Sequence, residues 1–359
     1  MVATASSIGV GVWSRETEQG DVRIAAWLFF VAFLVVCMVA VGGATRLTGS
    51  GLSITEWKPL LGAIPPLNAA DWQAAFDKYR QIPEYHQVNK GMSLAEFQFI
   101  YWWEWGHRFL GRAIGLVYAL PLALFWIAGR IPPNRRLAML GVLFLGGLQG
   151  FVGWYMVQSG LVERIDVSQY RLALHLTLAF LILASLVWLA ASFLPRDPLA
   201  RLQPVGRAAQ LLAWLVWAVI LAQVVLGAFV AGTKAGLTYN TWPLMDGEFV
   251  PSGRWQLQPW YLNLSENITA IQFNHRMLAY ALLALAIVHT LAILSSSDRA
   301  PARWSALVLV TALFAQAGLG IWTLLAVDGA IPIGLGVAHQ TFAAIIFALA
   351  TWHLTTVRS

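Results

Sequence analysis

Eight stretches of the chain contain no Asp, Glu, Lys or Arg: 24–45, 113–129, 137–162, 172–195, 208–233, 277–297, 304–327 and 329–357. Each is near or above the roughly 17–25 residues that cross a bilayer as a helix. A segment in lipid must satisfy its own backbone groups, so runs of this length predict helices. The pattern predicts an all-α integral membrane protein with eight transmembrane helices.

Composition agrees. Of 359 residues, 58% are hydrophobic and 11% charged, against about 25% charged in a soluble protein. The net charge of +6 sits at helix ends, so topology explains it better than nucleic acid does. Cys37 is the single cysteine and lies inside the first run; an internal disulfide and a CxxC metal site are both excluded. The tail before the first run carries Glu16, Glu18 and Asp21 and does not read as an Arg-rich transit peptide. The first run is too long for a signal-peptide core. A bacterial inner membrane is the expected location. The loops 129–136, 195–207 and 295–303 are short and basic, which places them and both termini in the cytoplasm.

Four histidines sit at corresponding places, His107, His175, His275 and His339, one at or near the N-terminal end of every second apolar segment. With the stated orientation all four fall near the outer, periplasmic face. Imidazoles within a membrane usually mark function.

The chain also reads as two halves in tandem. Thr45-Arg46 is echoed by Thr233-Lys234, GHRFLGR (106–112) by NHRMLAY (274–280), Gln149 and Gly153 by Gln316 and Gly320, and RLALH (171–175) by GLGVAH (334–339). The histidines repeat at offsets of 168 and 164 residues. An even number of helices per half keeps both the same way up, a parallel repeat. The expected organisation is a tail (1–23), a four-helix half (24–195), a cytoplasmic linker (196–207) and a second four-helix half (208–359). Each bundle would hold two facing histidines. The halves differ at Glu104, three residues before His107 and on the same helix face; the matching position before His275 is Gln272. That asymmetry predicts chemistry in the first half and a stored cofactor in the second.

Each signal has a plainer alternative. A lone membrane histidine is as readily an interhelical hydrogen bond as a ligand, but four at repeat-matched positions favour ligation. The pairs lack third and fourth protein ligands, which suits haem iron between two axial imidazoles better than zinc; copper is the other alternative. Arg46, Arg108, Arg112, Arg171, Lys234 and Arg276 ring the outer ends. They read either as snorkelling residues or as partners of haem propionates, since Arg matches carboxylates. Glu104 read plainly is a solvated interfacial acid, and Tyr101, Trp102, Trp103 and Trp105 an aromatic belt. His289 and His353 each lie 14 residues after a candidate ligand, about 21 Å along the helix. They read as interfacial polar residues, or else as ligands of a second, inner haem. Gln149, Gln223 and Gln316 each precede a glycine by four and read as helix-packing contacts.

The motifs GGATRLTGSGLSITEWKPLLGAIPP (42–66), EFQFIYWWEWGHRFLGR (96–112), RLALH (171–175), FNHRMLAY (273–280) and AHQTFA (338–343) resemble the haem A synthase family over nearly the whole chain. The absence of a cysteine pair in the first outer loop is similar to the proteobacterial and mitochondrial branch. The resemblance implies that His275 and His339 ligate a resident haem b, that His107 and His175 face or ligate substrate haem O, and that Glu104 is the catalytic carboxylate. It implies oxidation of a porphyrin ring methyl to a formyl group for terminal oxidase biogenesis. Haem O synthase, oxidase assembly factors, an unidentified electron acceptor and further copies of the chain are the implied partners. The alternatives are a bis-histidine electron-transfer cytochrome and a haem transporter.

Overall fold

Local signals set where the helices begin. Asp21 caps α1 (Val22–Leu47) by accepting from the Arg23 amide, and Asn68 caps α2 (Ala69–Tyr79) by accepting from the Asp71 amide. Pro83 opens the short α3 (Pro83–Gln87). Ser93 and Glu96 form a reciprocal capping box that starts α4 (Leu94–Ile127), satisfying donors that an uncapped first turn leaves open. This cap extends α4 far outside the apolar run 113–129. His107 therefore lies well inside a helix rather than at its entrance. The remaining elements are α5 (Pro133–Leu161), α6 (Gln169–Ser192), α7 (Arg207–Gly232), α8 (Ile268–Ser296), α9 (Ala300–Leu325) and α10 (Ile333–Val357). The computed structural model describes residues 21–58, 61–162, 164–195 and 205–358. Most of the tail and the linker expected from the sequence lies outside them.

Eight of these helices, α1 and α4 to α10, are long and apolar enough to cross a membrane. The chain is a multi-pass membrane protein, and its eight helices form two four-helix bundles. In the first, α1 packs on α4, α4 on α5, α5 on α6, and α6 back on α1. In the second, α7, α8, α9 and α10 close the same ring. The bundles meet through α1 against α10, α6 against α7, and α6 against α10. The first two contacts exchange under a twofold relation between the halves, as a parallel repeat requires. The shared core includes Phe180 of α6 and Phe347 of α10, with ring centroids 5.5 Å apart. At the end of the bundles nearer the four histidines the halves are latched by polar bonds. Lys234 pairs with Asp166 at 2.7 Å, and Glu266 accepts from Gln169 Nε2 at 2.9 Å and from the Tyr170 hydroxyl at 2.6 Å.

The loop 46–106, read from sequence as a long outer connection, is partly helical. Its α2 and α3 pack on the N-terminal extension of α4 through Phe76, Tyr79, Tyr85, Phe97 and Tyr101. Tyr101 is buried there rather than standing in an aromatic belt, whereas Trp102 is exposed. Glu84 is enclosed in the same cluster. It accepts from the Tyr79 hydroxyl at 3.2 Å, which in turn accepts from Asn89 Nδ2 at 2.7 Å. Burial pushes the Glu84 carboxyl up to about 7; the Tyr79 bond opposes the shift and the charge of Glu104 adds to it.

Folded Glu84 thus holds a proton that the unfolded chain has already lost between the ordinary value of 4.5 and about 7. Stability from this group falls as pH rises through that window, and the full cost stands above it. Glu84→Gln is expected to flatten the decline in thermal stability between about pH 5 and pH 8, and to stabilise the protein at the upper end by on the order of 1–3 kcal/mol. Melting followed by tryptophan fluorescence across that range checks this; an unchanged slope in the variant contradicts it.

Candidate functional site

The helices that carry the histidines occupy opposite corners of each bundle. His107 is on α4 and His175 on α6; His275 is on α8 and His339 on α10. Neither diagonal pair of helices packs closely. Each pair expected from the repeat is thus carried on two facing helices of one bundle, His107 and His175 in the first and His275 and His339 in the second.

Each ring lies against a glycine on the neighbouring helix. A Cβ built on Gly42 would lie 2.8 Å from His107 Cε1; on Gly153, 3.0 Å from His175 Cε1; on Gly227, 3.2 Å from His275 Cε1; and on Gly320, 2.8 Å from His339 Cε1. At Gly42 and Gly320 a side chain would displace the ring, and at Gly153 and Gly227 the ring would have to give by a few tenths of an ångström. Close packing on one edge fixes each imidazole, while all four rings remain only partly buried. Three of them have a further partner. Gln149, Gln223 and Gln316 sit one turn before those glycines, and each donates its amide to the main-chain carbonyl of the histidine, at 3.1, 3.0 and 2.9 Å. The same amide nitrogens lie 3.2, 3.1 and 3.2 Å from the Nδ1 atoms of His175, His275 and His339. These glutamines had read as packing contacts; they brace the histidines instead. Their recurrence four residues before a glycine was the available signal.

The asymmetric carboxylate is buried, not solvated. Glu104 is 3% exposed. It accepts from Ser53 Oγ at 2.8 Å, the Ile54 amide at 2.7 Å and Arg108 Nη2 at 2.6 Å. Arg108 also donates to the carbonyls of Ile54 and Glu56 at 2.8 and 3.0 Å. The loop after α1 and α4 itself thus hold the carboxylate one turn from His107. Ser53 and Ile54 belong to this site and carried no signal of their own in the sequence. In the second half Gln272, equally buried, donates to the Tyr239 carbonyl at 3.0 Å, and Arg276 donates to the same atom at 3.0 Å. Tyr239 stands to Gly227 as Ile54 stands to Gly42. The two halves therefore keep the arginine and the loop, and differ in whether the residue beside the histidine is an acid or an amide.

The other basic residues are engaged by the protein itself. Arg46 donates to the Ala231 carbonyl across the bundle interface. Arg112 donates to the Lys58 carbonyl at 3.1 Å. Arg171 donates to the Tyr155 carbonyl at 2.6 Å and lies 3.8 Å from the centre of that ring. Arg46 and Lys234 are not structural equivalents. The spacing from the matched glycines puts Lys234 opposite Gly49, and both residues have left-handed backbones, with φ of 54° and 65°.

His289 and His353 are buried rather than interfacial, each 1% exposed. Their Nε2 atoms are 2.7 Å apart and Ser305 Oγ is 2.7 Å from His353 Nδ1. Iron held between two imidazoles needs about 4 Å between the nitrogens, twice a metal–imidazole bond of about 2.0–2.1 Å. This pair is closed on itself as a hydrogen bond.

Two comparisons bear on this arrangement. The family model for COX15-CtaA, cytochrome oxidase assembly protein, matches residues 25–351. A heme A synthase of Brucella anthropi is 49% identical over 356 residues, spanning 98% of each chain. Heme A synthases of Brucella ovis and Brucella abortus are each 48% identical over 360 residues, 99% of this chain and 98% of theirs.

Proposed function

The chain belongs to the COX15-CtaA family of cytochrome oxidase assembly proteins, and from that premise we propose that it is a haem A synthase, oxidising a ring methyl of haem O to the formyl group of haem A. The observation that carries the reading is the unequal pair of sites: two histidine pairs in matching cradles, with a buried carboxylate beside one pair and an amide beside the other.

The second half is the resident site. His275 and His339 would hold haem b, and the residues present fit such a group. Both rings are seated on glycines that a Cβ would spoil. Beside each ring is a glutamine that donates to the histidine's main-chain carbonyl and packs its amide nitrogen against the imidazole, support of the kind that orients a ligating histidine. When bound, haem b supplies one-electron redox chemistry.

The first half receives the substrate. His107 and His175 face or ligate the haem O iron and fix the plane of the macrocycle. Glu104, on the same face of α4 as His107, is held by Ser53, Ile54 and Arg108. Taking electrons from a ring methyl builds positive charge on that carbon. A fixed carboxylate in a water-poor site stabilises the charge and accepts the proton that leaves. Arg108 and the Ile54 amide keep the carboxylate in place, so little reorganisation is needed as the charge develops. Written with water as the oxygen source, converting the methyl to a formyl group releases four protons and four electrons, and the electrons pass to an acceptor outside this chain. Arg46, Arg108, Arg112, Arg171, Lys234 and Arg276 would line the outer ends where haem propionates lie, beside the protein partners each already has. The lipid-facing helices give a farnesylated substrate a route from the bilayer. We place the protein in a bacterial inner membrane with both termini cytoplasmic and the haem sites towards the periplasm.

Expression in cells that make haem O but no haem A tests the assignment. Haem A in the extracted pigments is the expected outcome. Unchanged haem O alongside normally folded, haem b-loaded protein contradicts it and favours a bis-histidine electron-transfer cytochrome.

A further inference from the structure

Three of the four histidines are braced by a glutamine, and one is not. Gln149, Gln223 and Gln316 stand one turn before Gly153, Gly227 and Gly320. Each donates to the carbonyl of its histidine and packs its amide nitrogen against the ring, 3.1–3.2 Å from Nδ1 and 3.3–3.5 Å from Nε2. The corresponding position before Gly42, the glycine under His107, is Met38. A thioether has no proton to donate to a carbonyl and is only a weak acceptor. The His107 ring has no hydrogen-bond partner among the described residues. The exchange is built into the packing. Met38 Cε would lie 3.0 Å from a Cβ on Gly111, one turn after His107. The residue one turn after each of the other histidines is alanine: Ala179, Ala279 and Ala343. Three histidines thus have a glutamine–alanine pair around them, and His107 has methionine–glycine.

We propose that His107 is the exchangeable ligand of the substrate site and that the Met38–Gly111 pair makes it so. Loss of a group that supports a ligating histidine typically costs about 10–100-fold in metal affinity. Both ligands of the resident site are braced, which suits a haem that stays. The substrate site has one braced ligand, His175, and one unbraced. Its haem therefore detaches on the His107 side, and each turnover can end in release. Met38 and the glutamines are positioning residues; none touches the reacting methyl. The proposal rests on the reading that His107 and His175 receive haem O.

The test uses the full-length protein in nanodiscs, loaded with haem O and mixed with excess apomyoglobin as a haem scavenger. Transfer from each site is followed by absorbance. Met38→Gln combined with Gly111→Ala builds the missing brace; it is expected to slow release from the first site about 10–100-fold and leave the resident haem's release unchanged. Gln223→Met with Ala279→Gly removes a brace from the resident site and is expected to speed release there by a similar factor. Met38→Leu guards against general packing effects and is expected to release at the wild-type rate. Wild-type rates in both exchange variants overturn the proposal, as does faster release in Met38→Leu, which would mean the sulfur itself supports the ligand. Wild-type protein that never takes up haem O in its first site overturns the underlying reading instead, and the proposal with it.

Discussion

Replacing Glu104 by glutamine is expected to lower haem A formation by roughly 10²–10⁴-fold, the range lost with a positioned acid–base group, while haem b content stays normal. The choice of glutamine matters. Alanine would leave the Ile54 amide, Ser53 and Arg108 without their shared acceptor, at about 1–3 kcal/mol for each buried group left unpaired. A fall in activity would then mix chemistry with damage to the loop. Gln272 shows that the fold accommodates an amide in the equivalent position, 3% exposed and bonded to the equivalent loop. The ratio of haem A to haem O, measured by chromatography of extracted pigment, reads the effect. Haem A output within a few-fold of wild type from Glu104→Gln would remove the carboxylate from the mechanism.

The second large effect is expected at His275. His275→Ala should empty the proposed resident site, because it would remove one of the two imidazoles proposed to hold the haem, while the Gln223 bond to the main-chain carbonyl survives. The low-spin haem b signal of the purified protein should fall to a minor fraction of wild type. The first bundle should remain folded, since its ring of helices closes through α1, α4, α5 and α6 without α8. A normal low-spin spectrum in this variant would mean that His275 and His339 are not a ligand pair.

Much of this architecture is legible in the sequence, for reasons particular residues make clear. Long runs without charges can only be helices in lipid, so the eight spans are read directly. The histidine pairs follow from the repeat, because two halves folded alike must place equivalent residues alike. Helix limits are less legible. The apolar run 113–129 marks only the membrane-embedded part of α4; the Ser93–Glu96 cap starts the helix outside it, where hydrophobicity carries no information. The outer cluster around Tyr79 and Glu84 is hidden for the same reason, since its apolar residues are spread through a polar loop. The alignment of Arg46 with Lys234 fails because residue type is a weaker guide than backbone conformation: Lys234 is left-handed like Gly49. The glutamines were visible as a recurring spacing, but their bonds to the histidine carbonyls depend on which helices are neighbours. His289 and His353 likewise read as interfacial until the packing of α8, α9 and α10 encloses them.

The central claim is that one haem stays and one is changed. The most direct measurement is the pigment inventory of purified wild-type protein from cells supplied with haem O. The account predicts haem b together with haem O or haem A on the same protein, with haem b held and the second pigment exchanging. Haem b as the sole pigment under haem O supply, with His107→Ala altering nothing in the spectrum, would contradict it.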